Sequence, residues 1–155
     1  MPESNAFWDL PQSRGWTGPF YGFDEVDIVI GESAVAAEAG HYANSLRETA
    51  PEVTELYRAE KALAPRPPDL DEIWKSAVPE ELHYNTWITE RTNALLDGYA
   101  QSQQPFFLWA SFFDPHPPYL VPAPWDTMYD PAKVRVPCIA PGEHEIVNTA
   151  RTTAT

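Results

Sequence analysis

Between Pro105 and Tyr119 the chain changes character within a few residues. An apolar run of strand length, Phe106-Phe107-Leu108-Trp109-Ala110-Ser111, leads into Phe112-Phe113 and then Asp114-Pro115-His116-Pro117-Pro118. That pattern predicts a buried strand, 106–111, ending in a proline-stiffened polar loop. Upstream, Val26, Ile28 and Ile30 alternate with Glu25 and Asp27, and Gly31 follows; period two with β-branched residues predicts a short strand over 23–30. Ala39, Tyr42, Ala43 and Leu46 fall at helical spacing, and Pro51 can open another short helix to about Ala59, with Glu52 in its first turn. The strongest helical pattern comes next. Pro79 opens it, Glu80 and Glu81 suit its positive end, Tyr84, Trp87, Ile88, Arg91, Ala94 and Leu95 line one face, and Gly98 can close it.

Helix, short loop, then apolar strand is the order of an α/β fold with a largely parallel sheet and flanking helices. The remainder is irregular. Residues 1–22 form an aromatic, Pro- and Gly-rich lead-in, whose Phe7, Trp8, Trp16, Phe20 and Tyr21 are expected against a core lying elsewhere. Residues 64–71 are an exposed loop, and 138–155 are expected to be an extended, frayed tail. The pattern supplies two strands at most, and a two-stranded sheet is not stable without further partners. Residues 23–137 are therefore expected to be the central part of a larger α/β domain.

Composition narrows the function classes. At 43% hydrophobic residues with 13% aromatics, the 155-residue chain is too apolar for a disordered one. A net charge of −13 argues against nucleic acid and against an anionic membrane surface, both of which need clustered Lys and Arg. No apolar run approaches the ~20 residues of a transmembrane helix, so no membrane is expected as a partner. Met1-Pro2-Glu3-Ser4-Asn5 does not read as a secretory signal, so a cytoplasmic chain is expected at face value. Cys138 alone permits no internal disulfide and no multi-cysteine metal site. Seventeen prolines against seven glycines imply many extended connections.

Few side chains qualify for chemistry. His116 can serve as proton donor, anion ligand or metal ligand, and a stiff loop just past a strand is where α/β proteins build sites. Asp114 either orients His116 or acts as a turn former, and its place before a proline favours the second. His83, beside aromatics on the helix, reads as structural or surface. His41 and His144 have no partners at ligand spacing, and Cys138 has no nearby base. Lys61, Arg66 and Lys75 are isolated, and the acids show no calcium-loop spacing. Neither a phosphate-binding glycine loop nor a nucleophile elbow occurs.

The stretch from Pro105 to Pro131 resembles the sulfatase family, a branch of the alkaline phosphatase-like superfamily. Residues 105–112 match its strand P-F-F-L-x-x-S-F, 115–118 its P-H-x-P loop, and 122–129 its P-x-P-[YW]-x-x-M-Y element. Tyr21-Gly22-Phe23-Asp24-Glu25-Val26 resembles a GFDE element, and 79–91 resembles the helix that precedes the strand, so the match runs from about Tyr21 to Pro137. The resemblance implies part of an alkaline phosphatase-like sandwich. It also implies hydrolysis of sulfate esters, small molecules or sulfated glycans, by a formylglycine made from Cys or Ser. A divalent cation, calcium in most members, holds the sulfate, and the loop histidine, here His116, binds or protonates the ester. The departures are substantial. The nucleophile motif C-x-P-S-R or C-x-A-x-R, the early Asp-Asp pair, the Lys-x-His segment and the later Asp-Asn or Asp-His motif are all missing. Cys138 lies downstream of the loop and lacks the arginine. The expectation is a central sulfatase fragment, inactive alone, with no metal ligand assignable. Two other readings stand beside it: a phosphodiesterase or phosphonate monoester hydrolase of the same superfamily, and a non-catalytic remnant or binding module.

Overall fold

Proline interrupts the chain so often that most regular structure is short, one 19-residue helix apart. The computed structural model describes residues 1–102, 104–138 and 140–142. Three α-helices occur among them: α1, Asn5–Trp8; α2, Gly40–Thr49; and α3, Tyr84–Ser102. Between them lie 3-10 turns, including Ser33–Val35, Pro51–Tyr57 and Glu80–Leu82. The helical spacing from Ala39 to Leu46 corresponds to α2, which buries Tyr42, Ala43 and Leu46. Gly40 starts it at φ 96°, and a Cβ there would lie 2.6 Å from the Ile28 carbonyl oxygen, so a side chain is excluded. The helix expected after Pro51 is a 3-10 helix with proline at its first position, and it buries Val53 and Tyr57.

The helix expected from Pro79 to Gly98 forms with shifted ends. Residues 80–82 make a tight 3-10 turn, α3 begins at Tyr84, and it runs through Gly98 to Ser102. His83 explains the start. Its backbone carbonyl accepts the Trp87 N–H at 3.1 Å, while its Nδ1 accepts the Asn85 N–H at 3.3 Å, as a capping side chain does.

The core gathers where α2, the 51–57 turn and the start of α3 meet. Tyr42, Leu46, Val53, Tyr57, Trp74, Val78, Tyr84 and Leu120 are buried there. Burying tyrosines requires hydrogen bonds for their hydroxyls. The Tyr84 N–H donates to the Tyr57 hydroxyl at 3.3 Å. Tyr57 donates to the Tyr42 hydroxyl at 2.6 Å, and Tyr42 donates to the Leu82 carbonyl at 2.6 Å. Every polar atom in that chain is paired. Burial pushes the pKa of all three phenols far up, so they remain neutral donors.

Lead-in residues dock on α2 through His41. Its Nδ1 accepts the Ile28 N–H at 3.0 Å and its Nε2 donates to the Trp16 carbonyl at 2.5 Å. Trp16 stacks on the ring at 5.8 Å, and Trp8 meets it edge-on at 4.7 Å.

The expected sheet does not form among the described residues. Among the described residues the only β pairings are isolated bridges: Phe20 with Phe23, Val29 with Gly40, and Ile73 with Tyr119. The α/β sandwich with a largely parallel sheet is therefore corrected to a helical and irregular fold. Residues 106–111 carry no regular secondary structure and are mostly exposed, rather than forming a buried strand, and most of 23–30 likewise lies outside any ladder. Alternating side chains make a segment fit to be a strand, but a strand exists only when a neighbouring backbone takes up its N–H and C=O groups. The frayed tail expected over 138–155 falls mainly on residues outside the described ones, as does His144.

Tyr57→Phe keeps the ring but leaves the buried Tyr84 N–H without an acceptor. We expect a loss of about 1–3 kcal/mol, read as a lower urea midpoint at unchanged m-value. An unchanged midpoint would show that the tyrosine chain contributes nothing to stability.

Candidate functional site

The apolar run delivers the chain into the loop 113–120, and contacts from several elements hold that loop. Phe113 packs against Tyr84 with ring centroids 5.3 Å apart. Asp114 Oδ2 accepts from the Tyr84 hydroxyl at 3.0 Å and from Asn85 Nδ2 at 2.9 Å. Both donors sit in the first turn of α3, where the helix dipole also favours a carboxylate. Buried Ser33 donates its hydroxyl to the Pro118 carbonyl. The Tyr119 N–H donates to the Glu72 carbonyl at 2.8 Å, and the Leu120 carbonyl accepts from His83 Nε2 at 3.3 Å. Further on, Trp125 Nε1 donates to Glu80 at 2.7 Å, and Asp126 pairs with Lys75 at 2.7 Å.

His116 occupies the exposed apex of this braced loop. Its backbone N–H closes the turn on the Phe113 carbonyl at 2.9 Å. Its Nδ1 lies 2.5 Å from the Pro117 carbonyl oxygen, which can only accept, so Nδ1 carries the proton. That leaves Nε2 as the outward-facing atom: a lone pair when the ring is neutral, an N–H donor when it is cationic. Asp114 does not orient the imidazole; it ties the loop to α3.

His83 has the opposite setting. It is buried, its Nδ1 accepts from Asn85, and its Nε2–H donates to Leu120. Burial holds its pKa below the ordinary 6.5, outweighing the Leu120 hydrogen bond and the nearby Asp114 charge. It is a structural histidine. Sequence reasoning had no means of seeing its role, because the Leu120 carbonyl is distant in sequence. Ser33 and the tyrosine chain were missed for the same reason. His41 also has a packing role, Cys138 is exposed, and Lys75 belongs to the brace.

A groove of about 600 Å³ lies beside the loop, between the 20–29 segment, α3 and the 107–113 segment. Its walls are aromatic and aliphatic: Phe23, Ile28, Trp87, Leu95, Phe107 and Trp109. The Arg91–Asp27 ion pair at 2.8 Å borders it. For a metal ion the arrangement is unsuited. Among the described residues no three His, Cys, Asp or Glu side chains converge, and the Asp114 carboxylate is already engaged by two donors.

Comparison with known proteins gives a partial likeness. Over 64 residues the chain is 38% identical to the multifunctional alkaline phosphatase superfamily protein PehA of Trinickia caryophylli. The match covers 39% of this chain and 12% of that protein, so the chain spans a small part of its relative's length. No protein-family model matches the chain, and no solved structure does. The likeness supports the alkaline phosphatase superfamily and does not single out sulfatases within it.

Two outcomes follow from the brace. As pH falls through about 6.5, the unfolded chain protonates His83 before the folded one does. Its contribution is therefore fully present above that pH and is lost progressively below it. His83→Asn keeps a capping acceptor without the titration, so urea midpoints measured across that range should fall less steeply for the variant. Equal slopes would show that His83 does not set the acid sensitivity. Asp114→Ala should speed hydrogen exchange at the His116 amide while leaving the amides of α2 unchanged; equal exchange would mean the brace holds without it.

Proposed function

We propose that the 114–119 loop is the substrate-side element of an ester hydrolase of the alkaline phosphatase superfamily, and that the ester is a sulfate ester. The likeness to PehA supports a hydrolase of that superfamily. The resemblance of 105–131 to sulfatase elements supports sulfate. The observation that carries the reading is the state of His116: Nδ1–H satisfied by Pro117, and Nε2 presented to solvent from a loop tied down on both sides.

The chemistry available to such a group is limited and well suited to an anionic ester. A cationic ring points Nε2–H at an ester oxygen, stabilising charge that grows as the bond to the leaving group breaks. It can then hand that proton to the leaving oxygen and become neutral, keeping Nδ1–H on Pro117 throughout. Because the loop is already ordered, little conformational entropy is lost in aiming the ring. A divalent cation and a formylglycine nucleophile complete such a site in the resembling family. The described residues do not fit either, since no carboxylate cluster is present and Cys138 stands in no modification motif. The part of the reaction assigned to this chain is binding and proton delivery at His116 Nε2.

Titration with 4-nitrophenyl sulfate, followed by NMR of the imidazole ring protons, tests the reading. The His116 signals should shift saturably and those of His41 and His83 should not, while His116→Gln should abolish binding. With or without calcium, no nitrophenol should be released. Sustained turnover would overturn the division of labour proposed here. A response to phenylphosphonate or 4-nitrophenyl phosphate but not to the sulfate would assign the loop to phosphorus esters. No response to any of them would remove the substrate role.

A further inference from the structure

One buried ring ties together the two ends of the loop that carries His116. His83 Nδ1 accepts the Asn85 N–H at 3.3 Å, and its Nε2–H donates to the Leu120 carbonyl at 3.3 Å, so the neutral imidazole has both nitrogens satisfied. Asn85 in turn donates its side-chain amide to Asp114 at 2.9 Å, on the near side of His116. Leu120, on the far side, is buried in the core, and His83 itself is only 2% exposed. A second proton on this ring can go only to Nδ1, where it meets the Asn85 N–H donor against donor. The cation therefore does not fit the present packing and forms only if the ring moves.

We propose that His83 is an acid-operated latch on the His116 loop: neutral, it holds the loop against α3; protonated, it leaves its slot and releases the Leu120 end. The latch stands on this geometry alone, whereas its consequence for substrate rests on the reading of His116 given above.

The surroundings decide where the cation goes. The 51–57 turn contributes Tyr57, with ring centroids 6.3 Å apart, α3 contributes Tyr84 at 4.1 Å, and the loop contributes Asp114, whose charge reaches the imidazole. Burial keeps both phenols neutral, so among the described residues Asp114 is the charged group that a cationic ring meets. A ring drawn toward Asp114 competes with Tyr84 and Asn85 for its carboxylate, and the near end of the loop loosens with the far one.

The direction in pH follows. Burial disfavours the charged ring and outweighs the Leu120 hydrogen bond and the Asp114 charge, which favour it. The closed loop thus takes up the proton at lower pH than the open one, and the latch opens as pH falls below the ordinary 6.5. His116 needs the opposite change, since it meets an anionic ester as a cation. Substrate binding then has a window, its acid side drawn by His83 and its alkaline side by His116.

Hydrogen exchange and NMR on the full chain between pH 7.5 and pH 4.5 test this. The amides of His116 and Tyr119 are both hydrogen-bonded, to Phe113 and Glu72, and report on the loop. Their protection factors should fall by up to about tenfold per pH unit, the slope of one proton, with the midpoint at which the His83 ring signals titrate. The amides of α2 should stay protected over that range. Binding of 4-nitrophenyl sulfate, followed at the His116 ring, should strengthen and then weaken as pH falls; His83→Asn should remove the weakening and keep the rest. Circular dichroism checks that this variant folds, and the titration of the unaltered chain decides the matter if it does not. Loop opening at the His83 midpoint without sulfate binding at any pH would support the latch and remove the substrate role of His116. Protection at His116 and Tyr119 that ignores pH, that falls at a midpoint other than that of His83, or that is lost together with α2 would overturn the latch. An acid limb that persists unchanged in a folded His83→Asn chain would overturn it too.

Discussion

The hydrogen-bonded row of buried tyrosines at the start of α3 is the constraint on which the rest of the structure depends. Among the described residues this proline-rich chain has one long helix and no sheet to organise it, so its core is assembled largely from turns. Turns expose peptide groups, and a buried turn is tolerable only if side chains satisfy them. Tyr57 does this for the Tyr84 N–H and Tyr42 for the Leu82 carbonyl, while the two hydroxyls satisfy each other. The three rings also supply the apolar area that α2 and the 51–57 turn share. One set of side chains thus serves both hydrophobic burial and backbone accounting.

From that point order spreads to the candidate site through short links. Tyr84 donates its hydroxyl to Asp114, and the adjacent His83 caps α3 with one ring nitrogen while holding Leu120 with the other. Asp114 and Leu120 bracket the loop, and His116 lies between them. The same residue type therefore does opposite work at two places in the chain. His83 is buried and kept neutral by desolvation, whereas His116 is exposed with one nitrogen committed and one free. The contrast comes from surroundings contributed by residues far away in sequence.

Helix positions were largely legible because helical pairing is local. The spacing of Tyr42, Ala43 and Leu46 marks α2, and Tyr84, Trp87 and Ile88 mark α3. Boundaries were less so. Gly98 is passed over as a stop because an exposed helical glycine costs only about 1 kcal/mol, and Pro79 opens a 3-10 turn before the helix proper. The sheet was misread for a physical reason. The alternation at Val26, Ile28 and Ile30 and the apolar run at 106–111 describe side chains, whereas a ladder is made by backbones brought together from elsewhere.

What the sequence determined by itself is everything carried by neighbours along the chain. It set the helical stretches, the stiff Asp114–Pro118 loop with His116 at its tip, the net charge of −13, and the likeness that supports a superfamily. What only the tertiary structure decided is everything requiring distant groups to meet. It closed the tyrosine chain, made His83 a buried cap, turned Asp114 from His116 toward α3, and left the backbone of 106–112 without a hydrogen bond among the described residues. Local geometry is encoded by rotamers and φ preferences within a few residues; desolvation and hydrogen-bond satisfaction are properties of the assembled neighbourhood.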